Sequence, residues 1–175
     1  MNAIQILRQM HADTKMRFKI LLGADDPREA AAQWQTLQSL LDLHEQMEDD
    51  FVYTPLFEEM GPGTPLGDWS FQHDADVAAV KQFIEATAQL DPSTPEWRAT
   101  IGTIMDAMNK HVTDEEGQIF GRIEQIWEPS RLEQAGQGMQ KMKDSATSGA
   151  QPAPAPARSA RQAGAHPSTQ ARRTK

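Results

Sequence analysis

Four stretches of this chain carry apolar residues at spacings of three and four, and a single histidine interrupts each stripe. The first stripe is Ile4, Leu7, His11, Thr14, Phe18 and Leu21. The second is Leu37, Leu40, Leu41, His44, Glu48 and Phe51, and the third is Trp69, His73, Val77, Val80 and Ile84. The fourth is Trp97, Ile101, Ile104, Met108, His111, Glu115 and Ile119. Such spacing lines up along one face of an α-helix, and no alternating apolar strand competes with it. Punctuation divides the stripes into separate helices. The first runs from about Ile4 to Leu22 and stops at Gly23. The second opens at Asp26-Pro27, a cap residue followed by proline at the first helical position, and ends near Met60 before Gly61-Pro62-Gly63. The third runs from about Asp68 to Leu90. The fourth opens at Ser93-Thr94-Pro95-Glu96 and runs to about Trp127, and a short fifth follows from Pro129 to Met142. Four amphipathic helices on short connections predict an all-α, antiparallel four-helix bundle with the stripes inside.

Beyond Asp144 the composition changes. All 25 acidic residues precede that point, and the remainder holds only the basic Arg158, Arg161, Arg172, Arg173 and Lys175 among its charges. It is rich in Ala, Pro, Ser and Gly and has no large apolar side chain after Met142, so it cannot bury enough surface to offset its ordering entropy. The expected division is a helical domain over residues 1–144 and a disordered basic tail over 145–175. The net charge of -8 argues against nucleic acid as a main partner, apart from weak contacts by the tail, and against an anionic membrane. No stretch reaches the length of a membrane span, and the first residues lack a signal-peptide layout, which points to the cytoplasm. With no cysteine, disulfides, thiolate zinc sites and cysteine-held iron–sulfur clusters are excluded.

The four stripe histidines are the only histidines of the helical region, one to a helix. If a stripe covers a third of a helix surface, four independent landings have odds of roughly one in 80. Two of them, His44 and His111, are followed four residues later by Glu48 and Glu115, which lie one turn away on the same face. The bundle interior thus receives four imidazoles and two carboxylates. A buried carboxylate is costly without a partner, and the stripes offer few basic side chains to supply one. A di- or trivalent cation would neutralise the pair. Imidazole with carboxylate suits iron or manganese, with zinc as another choice.

A histidine on the first helix, His-x-x-x-Glu on the second, a histidine on the third and His-x-x-x-Glu on the fourth resemble the hemerythrin-like, HHE cation-binding family. The likeness runs from about Ile4 to Met142 and includes the segments from His44 to Leu56 and from His111 to Phe120. It implies two non-haem iron ions, oxo- or hydroxo-bridged, in preference to manganese or zinc. It implies His11, His44, Glu48, His73, His111 and Glu115 as ligands, with the two glutamates bridging. Family members bind oxygen, act on hydrogen peroxide or nitric oxide, or sense iron or oxygen. Two departures separate this chain from the oxygen-carrying hemerythrins. Val77 stands where they place a second third-helix histidine, and Glu116 stands where they place an aspartate. These departures favour the wider bacterial-type group. The function so implied is a di-iron oxidoreductase of catalase-like or nitric oxide-reacting type, with a sensing or binding module as the alternative.

Three neighbours are additional metal-ligand candidates. Glu45 and Glu116 each follow a motif residue directly, and an ideal helix turns each about 100° from it, toward solvent. Tyr53, the only tyrosine, follows Glu48 by just over one turn, and Pro55 distorts the helix there. Its phenol either reaches the site, as ligand or hydrogen-bond donor, or sits at the bundle edge in water.

Overall fold

The computed structural model describes residues 1–148, and among these every regular element is helical. Helix α1 spans Ala3–Gly23, α2 spans Pro27–Glu48, α3 spans Thr54–Met60 and α4 spans Pro65–Thr87. Helix α5 spans Pro95–Asp114, α6 spans Phe120–Ile126 and α7 spans Pro129–Thr147. Two π turns, Asp49–Tyr53 and Glu115–Ile119, join α2 to α3 and α5 to α6 without a break. The second and fourth bundle helices are therefore α2-π-α3 and α5-π-α6. The last helix reaches Thr147, past the expected boundary at 144, and residues 149–175, where most of the expected tail falls, lie outside the described residues.

Side chains punctuate the bundle. Asn2 and Gln5 form a reciprocal capping box at the start of α1. Asp26, Thr64 and Thr94 each accept a backbone N–H of the helix that follows, with proline at its first position. The Thr64-Pro65 pair moves the start of α4 three residues ahead of the Asp68 expected from the stripe alone. At the other end, residues 88–90 turn back onto the last carbonyls, so the helix stops at Thr87 instead of Leu90.

The core has two parts with the histidine layer between them. At the α7 end, Ile4, Leu7, Met47, Val52, Phe120, Ile123 and Met139 pack together. At the other end, Phe18, Leu21, Trp34, Leu37, Trp97, Ile101 and Ile104 do so. The buried indole of Trp34 donates to Thr87 Oγ1 at 2.9 Å and ties α2 to the end of α4. Helix α7 lies across α1 and closes the first core. One part of the bundle is left open. Helix α4 packs on α3 and α5, yet none of its residues between His73 and Thr87 is buried. Val77, Val80 and Ile84, expected fully inside, are half-covered, because the seam between α2 and α4 does not close over them.

Candidate metal centre

The six residues that the stripes send inward meet in the middle layer. One donor atom from each of His11, His44, Glu48, His111 and Glu115 can be chosen so that all lie within 4.8 Å of one another, an arrangement that could hold a metal ion. Glu48 is the hub. Its carboxylate lies 3.2 Å from His44 Nε2, 3.4 Å from His73 Nε2, 3.7 Å from His111 Nε2 and 3.9 Å from His11 Nε2. Glu115 lies 3.1 Å from His11 Nε2 and 3.2 Å from His111 Nε2. His73 therefore joins the cluster through Glu48. Both carboxylates are fully enclosed, and only the His111 side chain keeps appreciable exposure, 13%.

These short distances are not hydrogen bonds. His11 Nε2, His44 Nε2, His73 Nε2, Glu48 Oε1 and Glu115 Oε2 are buried and have no hydrogen-bond partner among the described residues. Buried polar atoms are ordinarily paired. Five that converge on one another instead, all of metal-ligand type, match what a cation of imidazole and carboxylate preference requires. On protons alone the layer balances unevenly. Burial opposes a charge on His11, but contacts with Glu115 and Glu48 outweigh it and raise the ring from 6.5 to about 10. Burial wins at His44, lowering it to about 3 against the pull of Glu48. Glu48 is held well below the usual carboxylate range: burial opposes this, but the surrounding histidines, His44 foremost, prevail. Glu115 is pushed up, by burial first and then by the charge of Glu48.

The π turns explain what surrounds the layer. On a regular α-helix a residue five positions after a glutamate points roughly 140° away from it. Each glutamate here adjoins a π turn, Glu48 just before one and Glu115 at the head of the other, and the wider turn brings that fifth residue round to the site. After Glu48 the residue is Tyr53; after Glu115 it is Phe120. The Tyr53 ring packs on His73 with centroids 4.2 Å apart, and Phe120 stacks on His11 at 5.7 Å and 9°. The apolar stripe does not mark Phe120 as a site residue; the signal for it in the chain is the interval from glutamate to aromatic that it shares with Tyr53. The first π turn sits directly before Pro55, whose missing N–H and bulky ring disfavour a regular α-turn there. Tyr53 is fully buried rather than at the bundle edge, and its hydroxyl donates to Glu115 Oε1. Burial, followed by the charges of Glu115 and Glu48, pushes the phenol well above its ordinary range, so it holds its proton.

The two glutamates beside the motifs part company. Glu116 bonds His11 Nδ1 at 2.8 Å, on the ring face away from the cluster, which fixes the ring and leaves Nε2 as its inward atom. Glu45 turns outward and accepts from Lys81 Nζ at 2.7 Å across the α2–α4 seam. Replacing Tyr53 with phenylalanine leaves the six clustered side chains in place but strips a buried carboxylate oxygen of its donor. The expected result is unchanged metal content by elemental analysis, with a stability loss of about 2 kcal/mol in denaturant titration.

A nest of imidazole and carboxylate between the helices of a bundle is a site that could hold a cation. The chain belongs to the hemerythrin family: residues 2–123 match the family described as Hemerythrin HHE cation binding domain. The fold is that of a hemerythrin HHE cation binding domain-containing protein from Mycobacterium kansasii, at 20% identity and a TM-score of 0.71 over 85% of this chain and 89% of that one. The chain is also similar to a protein of Nostoc sp. named a DNA nickase, 23% identical over 134 residues. That similarity covers 77% of this chain and only 37% of the Nostoc protein. Among the described residues no helix is long and apolar enough to cross a membrane.

Proposed function

We propose that this chain is a non-haem di-iron protein that decomposes hydrogen peroxide, with nitric oxide or oxygen as further small ligands of the same centre. The observation that carries this reading is the convergence of unpaired buried donors from four helices. His11, His44, His73 and His111 would hold the metal through their imidazoles, together with the carboxylates of Glu48 and Glu115, each within reach of several of those rings. When bound, the iron pair supplies the electrons and the positive charge that peroxide chemistry needs. The chain supplies the rest. The two apolar cores exclude bulk water above and below the layer. Glu116 fixes the tautomer of His11, and Tyr53 holds Glu115 in one rotamer and keeps a proton at its hydroxyl beside the centre. His111, the least covered donor, faces the side from which a small molecule enters.

The test is the full-length chain reconstituted with iron and supplied with hydrogen peroxide at an oxygen electrode, then with nitric oxide at a nitric oxide electrode. Oxygen release well above that of an equal amount of free iron is expected. A chain that holds iron yet releases no oxygen and consumes no nitric oxide is not this enzyme. The sensing alternative then predicts protease resistance and a melting temperature that rise only with metal. Supercoiled plasmid is a third substrate: the acidic helical domain is expected to leave it intact, and nicking above the free-iron level would transfer to this chain the activity named for the Nostoc relative.

A further inference from the structure

The open seam between α2 and α4 gives the centre an apolar approach. A cavity of about 250 Å³ lies there. Its walls are Leu41 of α2, Val77, Val80 and Ile84 of α4, and Met108 of α5, and its floor reaches His44, Glu48 and His111. Phe83 stands at the rim, 43% exposed. Peroxide, oxygen and nitric oxide have two heavy atoms each and need no such room. An apolar cavity of about 150 Å³ takes up benzene, so this one has space for roughly ten non-hydrogen atoms.

Charge narrows the occupant further. Lys81 at the rim is already paired with Glu45, and Lys110 with Asp114, each at 2.7 Å. Asp42 and Asp76 add carboxylates without added cations, so the mouth repels an anion. The walls carry no acid to receive a cation below the rim until Glu48, which the histidines already surround. We propose that the seam is a binding site for an uncharged organic molecule with an aromatic or branched apolar body, its neutral polar end directed at His111 and Glu48. The direction of that polar end rests on the metal-centre reading; the seat of the apolar body does not.

A matched pair of probes tests this on the full-length chain, without and with iron: 4-propylbenzyl alcohol and 4-propylbenzoate, followed by saturation-transfer NMR. In the iron-free chain, where no cation at the floor recruits a carboxylate, the alcohol is expected to bind at least about tenfold more tightly than the carboxylate, which pays to desolvate its charge. Val80→Trp fills the cavity from α4 and is expected to weaken the alcohol at least about tenfold, with iron content and helical circular dichroism unchanged. Should that variant fail to fold, Ala107→Leu, which narrows the cavity from α5, must weaken it in the same direction. Equal binding of acid and alcohol in the iron-free chain, undiminished binding in the filled variants, or no binding of the alcohol overturns the proposal. A chain that takes the alcohol but no iron refutes the metal centre and leaves the seam site standing. A chain replete in iron that ignores the alcohol does the reverse.

Discussion

Glu48→Ala should empty the centre. One carboxylate stands within 3.9 Å of all four histidines, so its removal takes the shared partner from every imidazole at once. Iron per chain, by elemental analysis, should fall at least about tenfold, since binding to the folded state depends on the complete donor set. Stability should fall by two routes. The metal-free variant loses the buried partner of several charged or polar rings, a loss of about 3 kcal/mol. The contribution of bound metal goes as well, about 4 kcal/mol when free metal exceeds its dissociation constant a thousandfold. The contrast is Glu45→Gln, three residues away. It breaks only the rim pair with Lys81 and should keep its iron and lie within about 0.5 kcal/mol of the parent. Iron retained by Glu48→Ala would show that the donors are assigned wrongly.

Gly67→Ala should damage the fold from outside the centre. The turn between α3 and α4 is wound tightly, with Gly61 and Gly63 at φ of 71° and 82°. Thr64 Oγ1 donates to the Gly61 carbonyl at 3.0 Å and accepts from Gly67 N at 3.1 Å, drawing the first turn of α4 against that carbonyl. A methyl group at Gly67 would run directly into Gly61 backbone, which has no soft side chain to yield. A loss of about 3 kcal/mol is expected in urea titration. His73 and Trp69 lie on the displaced helix, so iron should also bind more weakly. Gly102→Ala is the control, because it sits mid-helix in α5 with open space around it and should gain up to about 1 kcal/mol. If Gly67→Ala matches the parent, the turn is not the constraint described.

The sequence made the bundle and its inward donors legible because both follow from periodicity. Stripes at three and four name a helix face, and His44–Glu48 and His111–Glu115 keep the interval that puts two side chains on one face. Helix starts were legible wherever a cap residue met a proline, as at Asp26-Pro27. Thr64-Pro65 carries the same signal, ahead of the point where the apolar stripe of that helix begins. What periodicity cannot express is a change of period. The π turns are such a change, so the inward swing of Tyr53 was one alternative of two and that of Phe120 was not foreseen. Nor does a stripe reveal how closely its neighbour approaches: Val77, Val80 and Ile84 have the pattern of core residues, and only the separation of α2 from α4 leaves them as the lining of a cleft. Glu116 lay outside any stripe, and its role came from a partner 105 positions away.

Each π turn adjoins a carboxylate of the centre and begins a helical segment that lies against the α7 end of the core. Wound as a regular α-helix, the same residues would carry Tyr53 and Phe120, and beyond them Leu56 and Ile123, about 100° further round the axis and out of the core. The extra residue in each arm thus sets the register of every contact that arm makes at the α7 end.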